Sequence, residues 1–195
     1  WTGAVVALLA RGQDGPLRRR WSPLLTGPLL GLALHFVTAA ISSVEALAGG
    51  LRILDARYPY GPADVLAFAS ALGAAGRAAY AAFQLGYDTW APPAFAGFVA
   101  SVACSTLPRA SARLPLCAIW AYLASVLLAN ALMPVVMLSY PQLDAPVLQL
   151  LLHGVPLLDG AKYTLHIIAW LLIALGWARL LRERMQRSSR GQKDK

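Results

Sequence analysis

Residues Leu72–Pro93 read LGAAGRAAYAAFQLGYDTWAPP, an apolar run that nevertheless carries Arg77, Gln84 and Asp88. The run continues to Ser105 without another charged residue. A helix rising about 1.5 Å per residue from Gly76 to Ser105 is long enough to cross the ~30 Å hydrocarbon core of a bilayer. Ionisable groups at membrane depth are costly, so Asp88 needs a partner or a purpose.

Composition extends this reading to the whole chain. Of the 195 residues, 58% are hydrophobic and 13% charged, with a mean hydropathy of +0.56. Soluble domains carry about a quarter charged residues. A chain this short cannot hide so much apolar surface in one aqueous core, so it reads as an all-α polytopic membrane protein. The net charge of +8 would point to nucleic acid in a soluble protein. Here basic residues orient the chain and meet anionic lipid, and no nucleic-acid partner is expected. Cys104 and Cys117 lack metal-site spacing and are expected as free thiols. No catalytic motif and no metal site is apparent.

Outward from the central stretch, four spans are expected at about 22–48, 76–105, 113–138 and 161–181. They form a single membrane domain, 1–195, with residues 182–195 as a basic tail. Ala63–Leu72 reads as a short interfacial helix between the first and second spans, with Asp64 in its first turn and Gly73 to close it. Pro92 and Pro93 are expected to kink the second span. The apolar decamer 1–10 is too short to span. The stretch 147–160, with Gly154 and Pro156, reads as interfacial or as a tilted entry to the last span. With four spans, 13 of the 17 basic residues fall on the side of the termini and 4 on the other. The positive-inside rule then places both termini on the matrix or cytoplasmic side. Arg18, Arg19, Arg20, Arg179, Arg182 and Arg184 are the candidates to face lipid headgroups or a partner.

Polar groups of the four helices gather in one leaflet. By helical rise Asp88 lies about 16 Å and Asn130 about 12 Å from the less basic face. Gln84, His35 and His166 fall in the same half, completing a candidate intramembrane cluster of Asp88, Asn130, Gln84, His35 and His166. Such a cluster acts either as interhelical hydrogen bonding, about 0.6 kcal/mol per bond on average, or as a lipid or quinone headgroup pocket or proton-handling site. Arg77 is too far from Asp88 to pair with it, about 16 Å along one helix. It is expected at the membrane edge, with Asp55 or Asp64 as partner, leaving Asn130 as the expected partner of Asp88. Ala81, Ala82, Gly86, Ala94, Gly97, Ala124 and Ser125 allow close helix approach.

Asp55, Tyr60-Gly61, Leu72-Gly73, Gly76-Arg77, Tyr80, Asp88 and Pro92 follow a pattern that resembles an uncharacterised family of small four-helix membrane proteins. Leu107-Pro108 and Lys162 extend the match over about Asp55–Lys162. The acidic-Asn pair of that family is Ala129-Asn130 here, so its carboxylate is missing. The resemblance implies a four-helix fold and brings no known activity.

The functional expectation is a non-enzymatic accessory subunit of a large membrane complex, such as a respiratory-chain or ATP synthase complex of the mitochondrial inner membrane. It rests on the first residue being Trp1, the basic tail, and small-residue helices without a catalytic set. Other subunits and membrane lipids are its expected partners. No cofactor is expected beyond bound phospholipid such as cardiolipin. The alternative is an independent membrane protein that binds or modifies a lipid or quinone through the polar cluster.

Overall fold

Proline and glycine spacing decides where the helices start and bend. The structure, a computed structural model, describes the backbone of residues 16–191 and the side chains of residues 23–187. The decamer 1–10 and the side chains of Arg18, Arg19 and Arg20 lie outside the described residues. The elements are α1 (Pro16–Leu47), a 3-10 turn (Leu54–Arg57), α2 (Pro62–Leu85), α3 (Tyr87–Thr106), α4 (Arg109–Ser139) and α5 (Pro146–Gly191), with no strand among the described residues. Four stretches are long and apolar enough to cross a membrane: Pro23–Leu47, Pro62–Thr106, Arg109–Ser139 and Pro146–Arg187. The chain is thus an all-helical integral membrane protein. Side chains such as Leu25, Leu150 and Leu157 stay 70% or more exposed, the outward apolar surface that lipid requires.

Two glycines articulate the second span. Gly61 N–H donates to Asp64 Oδ2 at 2.9 Å, so the Asp64 side chain satisfies a backbone donor at the start of α2. Gly73 then interrupts the helix with φ 61° and ψ −179°, a region open almost only to glycine. The segment expected as a separate interfacial helix therefore runs into the second span through a kink. Its Val65, Phe68, Ala69 and Leu72 are buried in the bundle. The second break falls at Gly86, between α2 and α3, and not at the prolines: Pro92 and Pro93 lie inside α3. Thr89 Oγ1 donates to Gln84 O at 2.6 Å across that break. Residues 147–160 are continuous with α5, so Gly154 and Pro156 do not end the helix.

The core falls into two clusters stacked along the bundle. One, towards the α1–α2 and α4–α5 connections, joins Leu54, Phe68, Tyr80, Phe83, Met133, Met137 and Val155. The other, towards the α3–α4 turn, is built on small residues such as Ala96, Ala100, Ala103 and Ala169 around Val99, Leu107, Ile119 and Ile173. Helix α1 packs chiefly on α3 and less on α2, with no comparable contact to α4 or α5.

Gly73→Ala should lower stability by about 1–3 kcal/mol, the cost of that backbone region for a residue with a Cβ. Gly97 has ordinary helical surroundings with nothing within 4 Å of an added Cβ, so Gly97→Ala should be neutral or slightly stabilising. Denaturant unfolding of the detergent-solubilised protein, followed by Trp fluorescence, compares the two. Equal midpoints would refute the strain at Gly73.

Candidate functional site

A proline creates the first polar feature. Pro92 has no N–H, so the carbonyl of Asp88, four residues earlier, loses its helical donor. Asn130 of α4, only 2% exposed, supplies a replacement: its Nδ2 donates to Asp88 O at 2.9 Å. Asn130 thus meets Asp88 at the main chain, and its amide also reaches the Asp88 carboxylate. This holds the start of α3 against the middle of α4 and leaves the Asp88 side chain lining a cleft.

The α1–α2 connection builds the second feature. Glu45 Oε1 accepts from Ile53 N–H at 3.1 Å, turning the chain inward after α1. Ile53, Leu54 and Tyr60 are buried as a result. The 3-10 turn delivers Asp55 to Lys162 of α5, with Nζ donating to Oδ2 at 2.9 Å. Lys162 also pairs with Asp159 Oδ1, one helical turn away, at 2.9 Å. Tyr60 Oη donates to the other oxygen, Asp159 Oδ2. Burial first, then the charge of Asp159, holds the Tyr60 phenol far above its usual range, so it remains a donor. Tyr163 Oη donates to Asp55 O at 2.8 Å, and its ring lies 4.6 Å from that of Tyr58. Gly160 permits this approach, since a Cβ there would sit 2.8 Å from Tyr58 Oη.

Between the two core clusters these features enclose a partly open cleft of about 230 Å³. Leu34 and Val37 of α1, Asp55 of the connection, Asp88, Ala91, Pro92 and Phe95 of α3, Tyr122 and Val126 of α4, and Lys162, Tyr163 and His166 of α5 line it. His166 stands against Phe95, Tyr122 and Tyr163, with ring centroids 6.1 to 6.2 Å apart. No group of three or more potential metal ligands is placed to hold an ion among the described residues. The arrangement is a set of carboxylate and ammonium charges facing aromatic and aliphatic walls, suited to holding a polar head on an apolar tail.

Of the cluster read from the sequence, Asp88 and His166 line this cleft and Asn130 supports it. Gln84 is buried away from the lining, with Nε2 donating to Tyr80 Oη at 3.0 Å. His35 is exposed on the outer face of α1, its ring beside Phe36. Arg77 meets neither expected carboxylate. It donates to Ala69 O at 3.1 Å and lies over the Tyr140 ring at 5.0 Å, while Asp55 serves Lys162 and Asp64 caps α2. Arg179 pairs with Glu183 at 3.0 Å on the exposed face of α5, and Arg182 and Arg184 are also exposed. Asp159, Tyr60, Tyr163 and Tyr122 belong to the site but not to the sequence-derived cluster. The signal was helical spacing: Asp159, Lys162 and His166 recur at i, i+3 and i+7 and share one face of α5.

Lys162→Met should destabilise the fold by about 3–5 kcal/mol, because it strands the buried Asp159 carboxylate and the half-buried one of Asp55. Asp55→Asn should cost less, since Lys162 keeps Asp159. The triple neutral variant Lys162→Met, Asp55→Asn, Asp159→Asn should recover much of the loss. Unfolding midpoints of the three variants test this order, and a harmless Lys162→Met would overturn it. The chain matches no family model, no curated protein and no solved structure.

Proposed function

We propose that this chain is an independent membrane protein whose central cleft binds the polar head of a membrane amphiphile, a lipid or a quinone. The observation that carries this reading is convergence. All four spans and the α1–α2 connection contribute to one cleft with polar and apolar walls. Interiors pack densely and leave few voids larger than a water molecule, so a gap shared by every span is a feature of the fold. The cleft is partly open, which gives the tail a way out.

A second reading has its own support. His35 sits at the middle of the Pro23–Leu47 span and is exposed, and an ionisable side chain pointing out of a bundle at that depth calls for a neighbour. In that reading the chain is a non-enzymatic accessory subunit, docked through α1 in an energy-converting complex of the mitochondrial inner membrane. In both readings residues 63–72 form the membrane-surface end of the second span, set off by the Gly73 kink, and the basic tail follows the membrane domain on the same side as the N-terminus.

Native mass spectrometry of protein released from its own membrane separates the two. The amphiphile reading expects the 20.8 kDa chain with a non-covalent lipid-sized adduct. Ala91→Phe, which projects a ring into the cleft, should abolish that adduct with little change in unfolding midpoint. A bare chain, or an adduct indifferent to Ala91→Phe, would sink the cleft reading. A stoichiometric protein partner lost on His35→Leu would establish the accessory reading instead.

Orientation is tested by membrane-impermeant maleimide labelling of single cysteines in a variant lacking Cys104 and Cys117. Asp144→Cys should label from the side opposite to Arg182→Cys, with Arg182→Cys on the matrix or cytoplasmic side. Labelling of both from one side would refute the four-span topology.

A further inference from the structure

We propose that the cleft selects an amphiphile with a protonated amine head, and that Asp88 is the carboxylate that receives it. The inference rests on the amphiphile reading and specifies its ligand. Three carboxylates, Asp55, Asp88 and Asp159, gather around one ammonium, Lys162. Two are already committed. Asp55 and Asp159 each lie 2.9 Å from Lys162 Nζ, and Tyr60 and Tyr163 add hydrogen bonds to Asp159 Oδ2 and to the Asp55 main chain. Asp88 makes no ion pair among the described residues; the Asn130 amide bonds its main-chain carbonyl and also reaches its carboxylate, but brings no charge. Its carboxylate is therefore the acidic group in the lining left without a counter-charge.

The walls match that charge. Phe95, Tyr122 and Tyr163 surround His166 on the α3–α4–α5 side of the cleft. Aromatic faces beside a carboxylate attract an ammonium through the ring quadrupole as well as by charge. Leu34, Val37 and Val126 offer apolar surface for the first methylenes of a chain. A volume of about 230 Å³ has room for a small head, so the remaining chain must lie outside it. An anionic head would meet the carboxylate excess and be repelled, and a neutral alcohol would leave Asp88 without its counter-charge.

The shared chemistry, a primary ammonium on an apolar chain, has two sources: a free long-chain amine or the ethanolamine head of a phospholipid. Full-length protein in neutral detergent at pH 7 is titrated with dodecylamine, dodecanol and laurate, with binding read from Trp fluorescence and native mass spectrometry. Dodecylamine should bind at least about tenfold more tightly than either control. Asp88→Asn should erase that preference, and Asp88→Glu should keep most of it with an unchanged unfolding midpoint. Competition by a short-chain ethanolamine phospholipid assigns the ligand to membrane aminolipid. Failure of that phospholipid to compete assigns it to a free amine, and both results retain the amine site. Equal binding of laurate or dodecanol overturns the selectivity. Undiminished amine binding by Asp88→Asn overturns the role of Asp88, as it would if Asp88 held a proton in place of a ligand. If none of the three dodecyl probes binds, the amphiphile reading itself fails.

Discussion

A single ammonium group holds the α1–α2 connection inside the bundle. Lys162 sits on α5, its carboxylate partners on the connection and on its own helix, and all three are largely removed from solvent. Taking these charges out of water costs several kcal/mol per ion, so the pairs contribute little net stability unless the surrounding hydrogen bonds are complete. Tyr60 and Tyr163 move the arrangement towards completion. The result is positional: Ile53, Leu54 and Tyr60 become part of the core, and a connection that would otherwise lie on the surface closes one end of the cleft.

The other end of that arrangement depends on Pro92. A proline in a span normally needs its freed carbonyl re-satisfied by a neighbour, and Asn130 does this for Asp88. The helix break is displaced to Gly86, where Thr89 caps the Gln84 carbonyl, and α3 continues through Pro92 and Pro93. The proline thus lies inside one continuous helix. It anchors α3 to α4 at the level where Asp88 enters the cleft, and positions a carboxylate that no backbone contact alone would hold.

How much of this was legible in the sequence follows from the range of each interaction. Apolar length and composition sufficed for the four helices, because lipid demands both locally. Gly73 and Asp64 were readable because a left-handed glycine and an N-terminal carboxylate act within a few residues. Asn130 was read as the partner of the Asp88 side chain, and in the structure its amide bonds the Asp88 carbonyl as well. The main-chain bond follows from counting four residues back from Pro92. Gly154 and Pro156 suggested a break, but α5 runs through both because its neighbours, through Leu152, Val155 and Asp159, bury that face. The largest gap was Lys162. The inward fold of the connection brings Asp55 to it from more than a hundred positions away, and no local pattern encodes that approach. Arg77 was assigned Asp55 or Asp64 for the same reason, by assuming that a connection stays at the membrane edge.

The two clusters explain why the cleft lies where it does. Small side chains let the helices close tightly near the α3–α4 turn, while large aromatic and thioether side chains fill the opposite end. Between them lies the cleft, to which α3, α4 and α5 bring Asp88, Phe95, Tyr122, Lys162 and His166 beside the small or aliphatic Ala91, Pro92 and Val126. A network serving only to join helices would gain from closing this level, since each interhelical hydrogen bond contributes modestly, about 0.6 kcal/mol on average. Instead the level stays partly open, with Leu34 and Val37 of α1 lining it beside charged groups. Aliphatic side chains facing carboxylates across open space are unfavourable for an empty bundle. They are well matched to an occupant that is polar at one end and apolar at the other.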